Sequence, residues 1–289
     1  MTDPERPAGT VVPIRERTSV RQVRKDEIVL EERGLYVESW LPERRSRRKP
    51  LLMLHGELAG SWVWHRHQEY FAQRGWEGHA LNLRAHYWSD VADLSELTVE
   101  WYVDDSVAAF DALKRPAVVV GHGLGGLLAM RVTEQRPVAA PVLISPALPA
   151  ALRDPAPPHV LKAVPAIFQR DFIGWQVMPE QLRRLDPDLT IADAMRVQHL
   201  MGAESGRARR DVLSGVRVDL AVLGQVPTLV IGGGADRLYP AQDSERLADA
   251  IGAEYLAFDG HSHYGVLAGD QSHEQVAEAI RSFLERHKL

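Results

Sequence analysis

Apolar residues in this chain fall into short unbroken runs separated by stretches of helical spacing. LLMLH (51–55) and AVVV (117–120) show no polar alternation, the pattern of strands buried on both faces. GHALNL (78–83), Val138–Ile144, Pro227–Ile231 and Glu254–Phe258 read as further short strands. Helical spacing runs over Trp64–Gln73, Val99–Leu113, Leu124–Gln135, Ser244–Ile251 and Gln275–Arg286. In DEIVLEERGLYVESWL (26–41) two alternating runs flank Gly34 and predict an antiparallel hairpin. Strands alternating with helices imply a mostly parallel sheet with helices on both faces.

One segment breaks the rhythm. Residues 147–217 lack buried strands and are rich in Pro, Arg and helical patches. They predict an inserted helical cap, with the α/β core formed by 25–146 and 218–289. The first 24 residues carry Pro, Arg and Glu without an apolar run, so they read as a flexible leader and not a signal peptide. The basic run RRSRRK (44–49) reads as a solvated loop. No internal repeat is visible.

Composition narrows the chemistry. The chain has 289 residues, 45% apolar and 25% charged, with net charge −5. A core of ordinary size is expected, and no global basic field favours nucleic acid. The absence of cysteine excludes disulfides, a thiol nucleophile and thiolate metal sites. No stretch approaches the ~20 apolar residues of a membrane span. A soluble, cytoplasmic protein acting on a small molecule is expected, with no cofactor and no metal; its oligomeric state stays open. His65 and His67 share a metal-like spacing, but neighbours two apart on a helix point away from each other.

VVVGHGLGG (118–126) is a strand, a glycine-rich turn and the start of a helix. A strand, G-x-S-x-G and a helix make a nucleophile elbow. Here Gly121, His122, Gly123, Leu124 and Gly125 keep its small flanks, and Gly123 stands where serine would be. Other segments follow in matching order: Leu54-His55-Gly56-Glu57, LNLRAHYWS (81–89), LISPALP (143–149), Gly232-Gly233-Gly234-Ala235-Asp236-Arg237 and Phe258-Asp259-Gly260-His261-Ser262-His263. Together they resemble the α/β-hydrolase superfamily over about residues 26–288. Ala85 and Tyr87 replace glycines of the family's second segment.

The resemblance implies an α/β-hydrolase fold with a helical cap, and ester, amide or thioester hydrolysis as the usual chemistry. It aligns Gly123 with the nucleophile, Asp236 with the acid and His263 with the base, with His261 as rival base. It also implies an oxyanion hole from the backbone N–H groups of Leu124 and Glu57. The Glu57 side chain itself reads as a solvated loop residue, with a buried acid or base as the alternative. His55, Trp62 and His122 are candidate substrate contacts, although such histidines more often serve structure. Phe168, Phe172, Trp175 and Met178, at near-helical spacing, either line an apolar pocket or pack the cap onto the core.

Three functions remain open on the residues. The first is a cofactor-free enzyme acting on a small or medium apolar carbonyl or ester compound, using a His263–Asp236 dyad and the backbone hole without serine, for lyase, cyclase, decarboxylase or water-activating chemistry. The second is a serine hydrolase whose nucleophile has been replaced by glycine. The third is a non-catalytic ligand-binding protein.

Overall fold

The computed structural model describes residues 22–44, 46–182 and 184–289. Strand β1 (Val23–Leu30) turns at Gly34, where φ is +63°, into β2 (Leu35–Pro42) as the expected hairpin. Then come β3 (Leu51–Leu54), α1 (His65–Gln73), β4 (Gly78–Asn82), α2 (Val99–Ala112), β5 (Val118–His122), α3 (Leu124–Gln135) and β6 (Ala140–Ile144).

The cap segment follows. It carries α4 (Pro158–Ala163), β7 (Ile167–Phe168), α5 (Pro179–Leu182), α6 (Ile191–Leu200), β8 (Glu204–Ser205) and α7 (Gly206–Ser214). The chain returns through α8 (Leu220–Leu223), β9 (Leu229–Gly233), α9 (Ala241–Ile251), β10 (Glu254–Phe258), α10 (Gly265–Ala268) and α11 (Ser272–Arg286).

The sheet order is β1-β2-β4-β3-β5-β6-β9-β10. The β1–β2 and β2–β4 pairings are antiparallel, and from β4 to β10 the strands run parallel. The unalternated strand runs are explained by cores on both faces. Leu51 and Met53 of β3 pack with Phe71 of α1 and Ile280 and Phe283 of α11. Leu52 and Leu54 join Tyr102 of α2, Leu127 of α3 and Leu247 of α9 on the other face.

Three expectations need correction. The leader, expected to run to residue 24, gives way to strand at Val23, because Val23 and Arg24 pair with Pro42 and Leu41; residues 1–21 lie outside the described residues. The cap is not purely helical, since β7 and β8 form an antiparallel ribbon. A two-residue strand is too short to show alternation. Phe168 to Met178 do not share a helix: Phe168 is in β7 and the following residues turn. Of the basic run, Arg45 is outside the described residues, Arg44 and Arg47 are exposed, and the Arg48 guanidinium lies 3.7 Å from the Trp76 ring centroid.

The ribbon joins cap to core through a buried ion pair. His86 Nε2 donates to Glu204 Oε2 at 3.2 Å while its Nδ1 donates to the Arg84 carbonyl at 2.9 Å. Two donors on one ring require the imidazolium form. Burial pushes His86 down, but the Glu204 charge and hydrogen bond outweigh it and hold the ring above its ordinary value. Glu204 Oε1 also accepts from Tyr102 Oη (2.7 Å) and the Ser205 N–H (2.6 Å). Removing one partner of a buried pair leaves the other uncompensated. Glu204→Ala is therefore expected to lower the unfolding free energy by about 3–5 kcal/mol in urea denaturation. Glu285→Ala, which removes an exposed partner of Arg281, should cost no more than about 0.5 kcal/mol.

Candidate active site

The chemistry-bearing loops leave the carboxyl ends of β3, β5, β9 and β10, where parallel sheets present ligand sites. After β5 the chain bends at Gly123, with φ +56° and ψ −118°, and enters α3. That φ suits glycine. The bend is tight: a Cβ on Gly125 would lie 2.1 Å from the Leu54 carbonyl oxygen, so α3 packs directly on the end of β3. A Cβ on Gly123 would lie 3.2 Å from His263 Cε1, 3.4 Å from His263 Nε2 and 3.4 Å from Tyr239 Cε2. The imidazole therefore faces the bend.

His263 Nδ1 is 2.8 Å from Asp236 Oδ2. Asp236 Oδ1 accepts from the N–H groups of Leu238 (2.8 Å) and Tyr239 (2.9 Å). Burial alone would raise the Asp236 pKa, but the His263 charge and these bonds hold it below the ordinary carboxylate value. An ionised carboxylate only accepts, so Nδ1 carries the proton and neutral His263 keeps its lone pair on Nε2. Burial pushes His263 down, and Asp236 more than reverses this and holds it above its ordinary value. His122 Nε2 donates to the His263 carbonyl at 2.8 Å, fixing the loop from behind.

A second cluster stands over the bend. Arg209 of α7 reaches Glu57 Oε1 and Oε2 with one nitrogen, at 3.1 and 2.9 Å. The same nitrogen donates to Tyr239 Oη at 3.0 Å, and that hydroxyl donates to Glu57 Oε2 at 3.0 Å. The Glu57 charge raises the Arg209 pKa, while burial and Glu57 raise that of Tyr239. Glu57 is thus not the solvated loop residue expected from sequence. It is 9% exposed because a cation from the cap covers it.

Beside His263 lies a cavity of about 210 Å³. Ile173, Trp175, Leu185 and Leu238 form its apolar walls, and His263, Asp186 and Arg237 line it with polar groups. Of the cap aromatics predicted as pocket lining, Trp175 borders this cavity. Phe168 is buried 5.0 Å from the Phe172 ring, and Phe172 and Met178 are exposed. Trp62 is buried in the core. His55 donates from Nδ1 to the Gly56 carbonyl and accepts the Leu83 N–H at Nε2, so it is a neutral structural ring, and burial pushes its pKa down to about 3. His122 likewise supports the His263 loop and is not a cavity wall. His261 stacks on Phe258 and is not bonded to Asp236 among the described residues. His65 bonds Glu38, and no group of three His, Cys, Asp or Glu among the described residues is arranged to hold a metal ion.

Asp186, Arg209, Arg237 and Tyr239 escaped the sequence reading as site residues. Arg237 and Tyr239 left a signal, one and three residues past Asp236 in the same loop. Asp186 and Arg209 lie in a segment whose packing no periodicity announces.

The electrostatics give a direct expectation. By NMR, the His263 ring should titrate above the ordinary ~6.5. Asp236→Asn removes the counter-charge and leaves burial, so the midpoint should fall below that value. An unchanged midpoint would show that the carboxylate does not control the ring.

The chain matches the alpha/beta hydrolase family over residues 51–279. It is 29% identical over 287 residues to lipase LipV of Mycobacterium tuberculosis, covering 86% of this chain and 97% of that one. It is 28% identical to the dihydrolipoyllysine-residue acetyltransferase component of the acetoin cleaving system of Pseudomonas putida, over 82% of this chain but 64% of that longer protein. Its fold superposes on a monoacylglycerol lipase from Paleococcus ferrophilus with TM-score 0.66 and 20% identity, over 88% of this chain and 99% of that one. No helix among the described residues is long and apolar enough to cross a membrane. With the family matched across 51–279 and the parallel sheet and its loops in the corresponding order, this chain belongs to the alpha/beta hydrolase family.

Proposed function

We propose that this protein is a serine-less enzyme of its family in which the His263–Asp236 dyad moves a proton to or from a small carbonyl or ester compound. The observation that carries this reading is the 2.8 Å bond between His263 Nδ1 and Asp236 Oδ2, beside both the Gly123 bend and an apolar-walled cavity. The lipase names among its relatives favour an acyl ester as substrate. His263 Nε2 takes a proton from water or from a substrate carbon and becomes imidazolium, which Asp236 stabilises. The N–H groups of Leu124 and Glu57, in the role the family assigns them, receive the negative charge on the carbonyl oxygen. The dyad serves water-activating hydrolysis and lyase, cyclase or decarboxylase chemistry alike, because none of these needs a covalent acyl-enzyme.

The magnitudes set what to expect. Losing the nucleophile of a serine hydrolase costs on the order of 10⁶ in turnover and leaves ~10³–10⁴ over water. Hydrolysis of simple esters by this protein is therefore slow, and the enzyme's own reaction is one that the dyad performs without serine.

A second reading, non-catalytic ligand binding, draws on the Arg209–Glu57–Tyr239 cluster. The Tyr239 ring borders the space above Gly123, where an acyl group would sit in a serine hydrolase.

Short p-nitrophenyl esters separate the readings. The unaltered protein should hydrolyse them slowly, without an acyl burst and without labelling by a fluorophosphonate, and His263→Ala should abolish the activity. Turnover that is indifferent to His263→Ala sinks the dyad. Gly123→Ser places an oxygen beside Nε2. A burst and strong labelling in that variant would identify a serine hydrolase that lacks its nucleophile.

A further inference from the structure

Two cap carboxylates meet the loop that carries His263, and they are used differently. Asp188 is occupied: Oδ1 accepts from the Ser262 N–H (3.1 Å) and hydroxyl, and Oδ2 accepts from Ser272 Oγ at 2.7 Å. It clamps the loop to the cap. Asp186 lies two residues earlier and is 4% exposed. Its Oδ1 accepts from the Tyr264 N–H at 3.2 Å. Its backbone is held by an N–H bond to the Leu182 carbonyl (2.8 Å) and by the Leu189 N–H on its own carbonyl (3.2 Å). Unlike Asp188, Asp186 lines the cavity with His263.

A buried carboxyl group is costly unless something polar meets it. Of the other walls, Ile173, Trp175, Leu185 and Leu238 are apolar, Arg237 is exposed, and His263 is the remaining polar group. The chamber is small. About 210 Å³ corresponds to roughly seven waters of liquid volume. A ligand that touches His263 is therefore close to Asp186 as well.

Resting on the reading of this cavity as the substrate site, we infer that Asp186 is a specificity-determining residue whose carboxylate accepts a hydrogen bond from a hydroxyl group of the substrate. The substrate class is then a small hydroxylated carbonyl or ester compound. Its hydroxyl lies toward the cap and its carbonyl toward His263 and the Gly123 bend. A charge-assisted O–H···O⁻ bond is about twice as strong as a neutral one, so the effect is measurable in a weak ligand. Burial raises the Asp186 pKa, partly offset by Ser262, His263 and the Tyr264 N–H. The groups that face it are Asp188 on its own segment, Ser262, His263 and Tyr264 on the β10–α10 loop, and Arg237 after β9.

The test compares acetone with hydroxyacetone, which differ by one hydroxyl, in binding titrations followed by NMR. The unaltered protein should bind hydroxyacetone about tenfold more tightly. Asp186→Asn keeps an oxygen for the Tyr264 N–H, so the loop stays tethered, but it lacks the charge and should cut the preference to a few-fold. Asp186→Leu should erase it. The preference should also shrink toward acid pH in the unaltered protein and stay flat in Asp186→Asn, a difference that a merely structural role would not produce. Equal binding of both ketones, binding of neither, or a preference that survives Asp186→Leu overturns the inference. These measurements need no turnover. Ester hydrolysis indifferent to His263→Ala, alongside an intact hydroxyl preference, would remove the dyad mechanism and leave the assignment of Asp186 standing.

Discussion

A buried carboxylate persists in ionised form only when its oxygens are met by donors, and Asp236 meets that demand from its own loop. Two main-chain N–H groups, at Leu238 and Tyr239, take one oxygen, and the imidazole takes the other. The loop after β9 must therefore curl back on itself, and the loop after β10 must bring His263 to it. Neither loop could do this if β9 and β10 were not adjacent and parallel, both ending on the same side of the sheet. The orientation of the ring, its tautomer and its distance from the Gly123 bend all follow from this one pairing.

The rest of the site is held from above. Arg209 binds Glu57, Asp188 binds the Ser262 segment, and Glu204 binds His86 while its Oε2 lies 3.4 Å from the Leu58 N–H. Each contact joins the cap to a loop at the carboxyl end of the sheet. The Arg209–Glu57 and His86–Glu204 pairs also place charges where water is scarce, so loss of a partner costs more there than in an exposed pair.

The sheet was legible because strands buried on both faces write themselves as uninterrupted apolar runs: Val118–Val120 and Leu51–Leu54 need no tertiary information. The loops bearing Gly123, Asp236 and His263 were legible as segments in a familiar order. What escaped detection shares a physical cause. Glu57 looked solvated because its partner, Arg209, lies 152 positions away. Asp186 looked like one acid among the prolines and arginines of the cap, since a cavity is a property of the packed chain. Phe168, Phe172, Trp175 and Met178 invited a helical reading by their spacing, but the backbone there forms a short strand and turns, which scatters them between the core, the cavity and the surface.

The buried charges that cross from cap to core have an evolutionary side. In many layouts a covering segment can be exchanged freely, since it touches the reactive loops through apolar contacts that repack. Here residues that would shape ligand preference share a few turns of chain with residues that keep those loops in place, as Asp186 and Asp188 do. Remodelling the cap toward a new ligand thus trades against folding free energy, and innovation in this lineage would have to proceed with compensating changes on both sides of the junction.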